Sequence, residues 1–476
     1  MEPKYLPPSL ARTSKGSHRS VKRLRAGAIE SRMAVAFREE KLALSLDGSA
    51  QSGESSSFPG KVGSFPGNVR WWQGAEASND PSVPIIVHSH LRWDFVWQRP
   101  QQLLSRFAAQ HPVLFVEEPI ESASEPALEV SLTPEGVVRV VPMLPNADTL
   151  SVDAGCALVL PLLERAIHEH SLLAGRFASP VQWFYSPMTA PVYCGRFGAV
   201  VVVYDCMDEL ANFRFAPDDI AQREGYLLSK ADVVFTGGYE LYRSKSARHA
   251  NTYLFGCGVD AAHFGRARAP ETVVPSDVAA LSKPILGYFG VVDERLDYVL
   301  IEQLAKRFPA ASIVMVGPLA KVQSADLPRA ANIHWLGSRR YEDLPAIVKA
   351  FDVCLMPFAM NAATQFINPT KTLEYLAAGK PVVSSAVPDV VRQYTDIVDV
   401  AHSIDEFLDC VEKLVATVDP ARIAAGIALA RASTWDSTVG AMRGHILGSL
   451  ARKRELPERF ALATQPGVHL AQAQNQ

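Results

Sequence analysis

Short β-branched runs alternate with amphipathic stretches from Pro84 onward, and this pattern constrains the fold more than any other feature of the chain. Ile85 to His90, Val113 to Val116, Val138 to Val141, Val181 to Tyr185, Ala199 to Tyr204, Asp232 to Thr236 and Thr252 to Phe255 read as strands. So do Ile285 to Phe289, Ser312 to Val316, Asn332 to Leu336, Val353 to Pro357, Pro381 to Ser384 and Asp396 to Val400, a second set that begins after a Pro- and Ala-rich stretch at 266–282. Between them lie stretches such as Val299 to Phe308, where Leu300, Ile301, Leu304 and Phe308 recur at helical spacing. Strands separated by helices build parallel sheets. The predicted fold class is therefore α/β, with two Rossmann-like domains, and 476 residues at 48% hydrophobic suffice for two cores.

Other properties narrow the function. A net charge of −3 leaves no basic surplus for a nucleic-acid backbone, so no nucleic-acid partner is expected. Cys156, Cys194, Cys206, Cys257, Cys354 and Cys410 are too scattered for a zinc site or a disulfide framework and read as buried thiols of a reducing compartment. No apolar run approaches the ~20 residues that span a bilayer, and the N-terminus lacks the apolar core of a secretory signal. The expected location is the cytoplasm. Residues 1–80 are rich in Ser, Gly, Pro and charge and are expected to form a disordered extension. Lys4, Arg12, Lys15, Arg19, Lys22, Arg23 and Arg25 give its start a cluster able to touch the inner membrane face peripherally; a solvated tail, or a true start at Met33, is the alternative.

The segment NPTKTLEYLAAGKPVVSS, Asn368 to Ser385, carries the most chemistry. It reads as a helix with Asn368 as N-cap, Pro369 and Thr370 in the first turn and Gly379 closing the C-terminus, followed by a strand. A helix N-terminus at the carboxyl edge of a parallel sheet presents unpaired amides and a partial positive charge, suited to a diphosphate. Lys371 adds a cation, and Glu374, three residues on, shares its face and could accept from a ribose diol. The spacing equally allows an ordinary exposed Lys–Glu pair. Upstream, LGYFGVVDERLD (Leu286 to Asp297) reads as a strand and a turn: Gly290 would let backbone approach a ligand, and Arg295 would serve either a diphosphate or a surface pair with Glu294 or Asp297.

In the first half, His88 to Ala108 runs from a strand end into a helix, with Trp93, Trp97, Gln98 and Arg99 as a sugar-facing wall or, for the tryptophans, core. Asp205, Asp208 and Glu209 also finish a strand and serve as acceptor-binding carboxylates or helix caps; His88 and His90 read as bases or core histidines, with core the preferred reading for His88.

These motifs resemble the retaining GT-B glycosyltransferases. Pro369, Lys371, Glu374, Gly379 and Pro381 match the family's nucleotide-binding helix, Gly290 and Arg295 its glycine turn and basic residue, FGCGVDAAHF (Phe255 to Phe264) the end of its first domain, and WDFVWQRPQ (Trp93 to Gln101) a subset in bacterial surface-polysaccharide synthesis. The resemblance implies two domains facing across a hinged cleft: a first domain over 81–265 for the acceptor, a linker at 266–282, a nucleotide-sugar domain over 283–432, a crossover helix at 433–452 and a flexible tail at 453–476. It implies a hexosyltransferase acting on a nucleotide diphosphate sugar and a glycan, lipid-linked or small-molecule acceptor. Configuration would be retained, with no cofactor and no metal, Lys371 and Arg295 neutralising the leaving diphosphate. Glu374 would bind the ribose, Gly290, Asn368, Pro369 and Thr370 would line the donor site, and Trp97, Gln98, Arg99, Asp205 and Asp208 the acceptor site. Many members carry a glutamate where this chain has Phe366, so its role would pass to a neighbour such as Asn361 or to main chain. A nucleotide-sugar epimerase of the same shape and a non-catalytic binding protein remain as alternatives; no G-x-G-x-x-G follows a predicted strand, which disfavours a dinucleotide oxidoreductase.

Overall fold

The computed structural model describes residues 82–123 and 125–463; the expectations for residues 1–80 and for the chain after Ala463 lie outside it. Nine strands form the first sheet: β1 (Ile85–His88), β2 (Val113–Val116), β3 (Ile120–Glu121), β4 (Ala127–Leu132), β5 (Val138–Leu144), β6 (Val181–Phe184), β7 (Val201–Cys206), β8 (Val233–Thr236) and β9 (Thr252–Leu254). They run in the order β3-β5-β2-β1-β6-β7-β8-β9, all parallel, with β4 antiparallel on β5. β10 (Ile285–Phe289), β11 (Ser312–Val316), β12 (Ile333–Trp335), β13 (Val353–Met356), β14 (Val382–Ser385) and β15 (Asp399–Ala401) form a second parallel sheet in the order β12-β11-β10-β13-β14-β15.

Every strand read from sequence is present. β3 and β4 were not anticipated. β4 joins β5 through a turn closed by Gly136, at φ +86°, and its Leu128, Val130 and Leu132 alternate with Glu129 and Ser131 as a half-exposed edge strand requires. That period-two signal was present but short.

In both sheets the chain order reverses beside one central strand. β1 lies between β2 and β6, and β10 lies between β11 and β13, so the loops leaving β1 and β6, and those leaving β10 and β13, diverge and open crevices at the carboxyl ends of the strands. The loops after β10 and β13 are tied together: Asp297 N donates to Pro357 O at 2.8 Å, and Ala359 N to Arg295 O at 2.8 Å.

The connection at 266–282 is ordered rather than a free linker. Ala267 and Val278, with Phe264 just before, join the core of the second sheet. The terminal helix Trp435–Ala463 crosses back as expected and runs beyond the anticipated end at 452. Trp435, Val439, Met442, Ile446 and Leu450 present one apolar stripe to the first sheet's core. Its start is registered by a parallel bridge between Val259 and Thr434 and by Val259 N donating to Ser433 O at 2.9 Å.

Gly258 makes that crossing possible, since a Cβ there would stand 2.8 Å from Trp435 N and 2.9 Å from its ring. Gly258→Ala is expected to cost about 1–3 kcal/mol by overpacking, read as a lowered urea midpoint. A midpoint equal to wild type would mean the helix start yields freely.

Candidate active site between the domains

β10 ends at Gly290, whose φ of +143° favours glycine. Its amide donates to Val316 O at 2.8 Å. A Cβ here would collide with Lys371 Cε and lie 2.6 Å from its Nζ and 2.8 Å from the Tyr288 hydroxyl. Lys371 therefore lies across bare backbone, its Nζ 5.9 Å from the centre of the Tyr288 ring. The helix carrying it is fixed to the same strand by Phe289 N, which donates to the Tyr375 hydroxyl at 3.0 Å.

That helix spans Thr370–Ala377 with Pro369 at the N-cap, so it starts one residue later than the sequence reading placed it. Asn368 is not the cap. Its Nδ2 donates to Gly237 O of the first domain at 3.2 Å, and the Cys257 thiol donates to Asn368 O at 3.1 Å. Gly379, at φ +71°, does close the C-terminus.

Lys371 and Glu374 are half-buried rather than an exposed surface pair. Burial lowers the Lys371 pKa, with Glu374 opposing, and raises that of Glu374 to about 7, with Lys371 opposing. Beside them, Arg295 pairs with Asp293, not with Glu294 or Asp297: its Nε lies 3.0 Å from both carboxylate oxygens and a terminal nitrogen 2.7 Å from one. Burial works against the Arg295 charge, but Asp293 and then Asp208 raise its pKa. Glu294 instead meets Lys321 at 3.4 Å. Phe213 of the first domain sits beneath both cations, 4.6 Å from Lys321 Nζ and 5.8 Å from the Arg295 guanidinium carbon. Asp293 lies within the segment Leu286 to Asp297 but was not singled out as the partner of Arg295, and no motif or period marks Lys321 and Phe213.

The expected acceptor wall divides. Asp208 is half-buried in the cleft; burial raises its pKa and Arg295 opposes the shift. Trp97 is half-buried with its ring 5.8 Å from that of Tyr341 in the second domain. Gln98 caps the helix Arg99–Ala108, its amide donating to Gln101 Oε1 at 3.2 Å. Arg99 and Asp205 lie inside the first domain instead of on the wall, 4% and 0% exposed. Arg99 binds Asp205 with Nε at 3.1 Å from each oxygen and a terminal nitrogen at 2.8 Å from one, and donates to Phe255 O at 2.9 Å. Both charges are thus consumed internally. Glu209 pairs with the buried Lys245 at 2.7 Å. Trp93 is a core residue, and His88 is stacked between Phe184 and Tyr193, each 4.8 Å away, where burial lowers its pKa to about 3. His90 is also held neutral, at about 4, by burial and then by Lys321.

Phe366 packs against the first domain's core. Asn361 bonds its own turn, its Oδ1 accepting from Ala363 N at 3.0 Å and Thr364 N at 3.1 Å. Among the described residues no group of three or more His, Cys, Asp or Glu could hold a metal, and no helix is long and apolar enough to cross a membrane.

Two parallel sheets with interleaved helices and a charged cleft between them constitute the GT-B fold. Residues 283–417, which hold Gly290, Arg295, Lys371 and Glu374, match the model of the family described as glycosyl transferases group 1. Over 138 residues the chain is 30% identical to a Bacillus subtilis (strain 168) protein described as "Putative teichuronic acid biosynthesis glycosyltransferase"; the match covers 28% of this chain and 34%, about a third, of that relative. The fold is similar to that of sucrose-phosphate synthase from Thermosynechococcus elongatus, with a TM-score of 0.56 at 16% identity over 79% of this chain and 100% of the other. An Escherichia coli trehalose-6-phosphate protein bound with UDP-2-fluoro glucose gives 0.53 at 12% identity over 76% and 98%.

Asp205→Ala would strand the Arg99 charge in the core. It is expected to cost about 3–5 kcal/mol in chemical denaturation, whereas a loss below about 1 kcal/mol, typical of an exposed pair, would contradict the buried placement. Glu374 gives a pH signature. With its pKa raised to about 7 from 4.5, the folded state holds more protons than the unfolded state between those values, so its contribution to stability is present below 4.5 and lost as pH rises through 7. Glu374→Gln is therefore expected to raise the urea midpoint at pH 8 and leave it unchanged at pH 4; equal effects at both would refute the assignment.

Proposed function

We propose that the chain is a glycosyltransferase whose second domain binds a nucleoside diphosphate sugar and whose first domain presents a glycan, lipid-linked or small-molecule acceptor. The observation that carries this reading is Lys371 lying over Gly290 at the N-terminus of a helix, with Glu374 one turn along. A diphosphate placed there would meet a cation, helix amides and a backbone turn with no side chain in its way, and Glu374 would reach the ribose hydroxyls.

Transfer breaks the bond between the anomeric carbon and the β-phosphate oxygen, and the electron pair leaves with the phosphate. Lys371, with Arg295 held in place by Asp293, would stabilise that growing charge in a cleft poor in water. Under the retaining reading, the departing phosphate oxygen takes the acceptor's proton as the acceptor oxygen bonds to the same face of the carbon. This assigns leaving-group stabilisation to side-chain cations, with no metal and no cofactor beyond the donor. Asp208 and Trp97 are the acceptor-side groups that face the cleft. A cytoplasmic location with peripheral contact at the inner membrane face fits a lipid-linked acceptor, and residues 1–80 would supply the basic cluster.

Calorimetric titration with UDP, GDP and ADP tests the donor site. One nucleotide is expected to bind selectively, with Lys371→Ala and Glu374→Ala each weakening it at least about tenfold, as the loss of a charged hydrogen bond does. Binding of none by folded protein would favour a non-catalytic role; turnover of a donor without any acceptor would point to an epimerase. The anomeric configuration of the product decides retention.

A further inference from the structure

Tyr341 opens the short 3-10 turn Tyr341–Asp343 in the second domain, and its side chain meets three other parts of the chain. Its hydroxyl accepts from Gln102 Nε2 of the first domain at 3.0 Å, and its ring faces Trp97, also of the first domain, at 5.8 Å. On its other face it stacks on His263, with ring centres 4.1 Å apart and planes 4° from parallel. His263 lies in the hinge helix Ala261–Gly265, which packs on the helix bearing Lys371 and Glu374. The tautomer of His263 follows from its partners: Nε2 faces Tyr341 O at 3.0 Å and so carries the proton, leaving Nδ1 to accept from Arg266 at 3.0 Å.

We propose that Tyr341 is the latch that closes the first domain over the donor's ribose pocket, with Gln102 and Trp97 as its catch and His263 as its fixed backing. The inference rests on the donor site proposed above for its link to ribose, but the latch itself rests only on these contacts. Burial, and after it the charge of Glu374, raises the Tyr341 pKa, so the phenol feels the carboxylate assigned to the ribose. His263 and Tyr341 move together with the second domain, since Phe264 next to the histidine belongs to that domain's core. Gln102 and Trp97 sit at the start of the helix Arg99–Ala108, anchored by the Arg99–Asp205 pair. Opening the cleft must therefore break the bond from Gln102 to Tyr341 and part the Trp97 and Tyr341 rings, while the His263 stack persists. Tyr341 is a positioning residue: it would act on the donor through the closed geometry around Glu374, not by touching reacting atoms.

The test combines titration and solution scattering on the full chain. Tyr341→Phe keeps the ring and removes the hydroxyl; Gln102→Ala removes the donor. Each is expected to weaken binding of the selected nucleotide, UDP, GDP or ADP, about fivefold, the equivalent of one ordinary net hydrogen bond, and the double variant no further than either single one. The radius of gyration of the nucleotide-bound protein should rise in all three. Thermal midpoints near that of wild type would confirm that the fold is intact. Unchanged affinity in both single variants, or additive losses in the double variant, would overturn the proposal. If wild type binds none of UDP, GDP and ADP, the donor reading fails, and the latch is judged on nucleotide-free protein: Tyr341→Ala and Trp97→Ala should enlarge the radius of gyration, and no change in either would overturn it.

Discussion

The cleft is organised around one steric fact: the Lys371 side chain lies where a Cβ of residue 290 would be. Because Gly290 has none, a cation can rest on the carboxyl end of β10 within reach of a helix N-terminus. Gly317, at φ +144°, supports the arrangement from behind, since a Cβ there would collide with Gly290 O. Phe289 and Tyr375 join strand to helix from the other side. Strand, turn and helix are thus locked into one piece that carries Lys371.

Charge in a partly desolvated cleft must be balanced locally. The ion pairs described here are each made within one body: Arg295 with Asp293 in the second domain, Arg99 with Asp205 and Lys245 with Glu209 in the first. The contacts that cross between bodies are of a different kind. They are amide to carbonyl at Asn368 and Gly237, amide to hydroxyl at Gln102 and Tyr341, carboxylate to backbone at Asp389 and Tyr239, and rings beneath cations at Phe213. Such contacts are weak singly, which suits a cleft that must open for exchange.

What the sequence revealed and what it hid follow from range. Strands and the helix Thr370–Ala377 were legible because β-branched runs, Pro369 and Gly379 act within a few residues. Lys371 and Glu374 were legible for the same reason, being one turn apart on a single element. Arg99 and Asp205 were misplaced because they are 106 positions apart, and nothing local shows that each charge exists to satisfy the other. Asn368 has the residue type of a cap, yet its side chain is drawn across to Gly237, so a tertiary contact overrode a local preference. Tyr341, between two arginines and an acidic pair, reads as surface until the fold brings Gln102 and His263 to it.

Phe366 shows how the same constraint shapes the donor loop. The segment from Asn361 to Pro369 connects β13 to the helix N-terminus and has to be held without an acidic side chain at its centre. It is held by apolar packing of Phe366 on the first domain's core and by Asn361 bonding its own turn. In the proposed reaction the unliganded pair of Lys371 and Glu374 then serves as a placeholder. The two charges act on each other while the cleft is empty; under the proposal a diphosphate would meet the lysine and the carboxylate would turn to the ribose. With its pKa near 7, Glu374 can meet that moment in either protonation state, so the site need not hold an unpaired anion before the donor arrives.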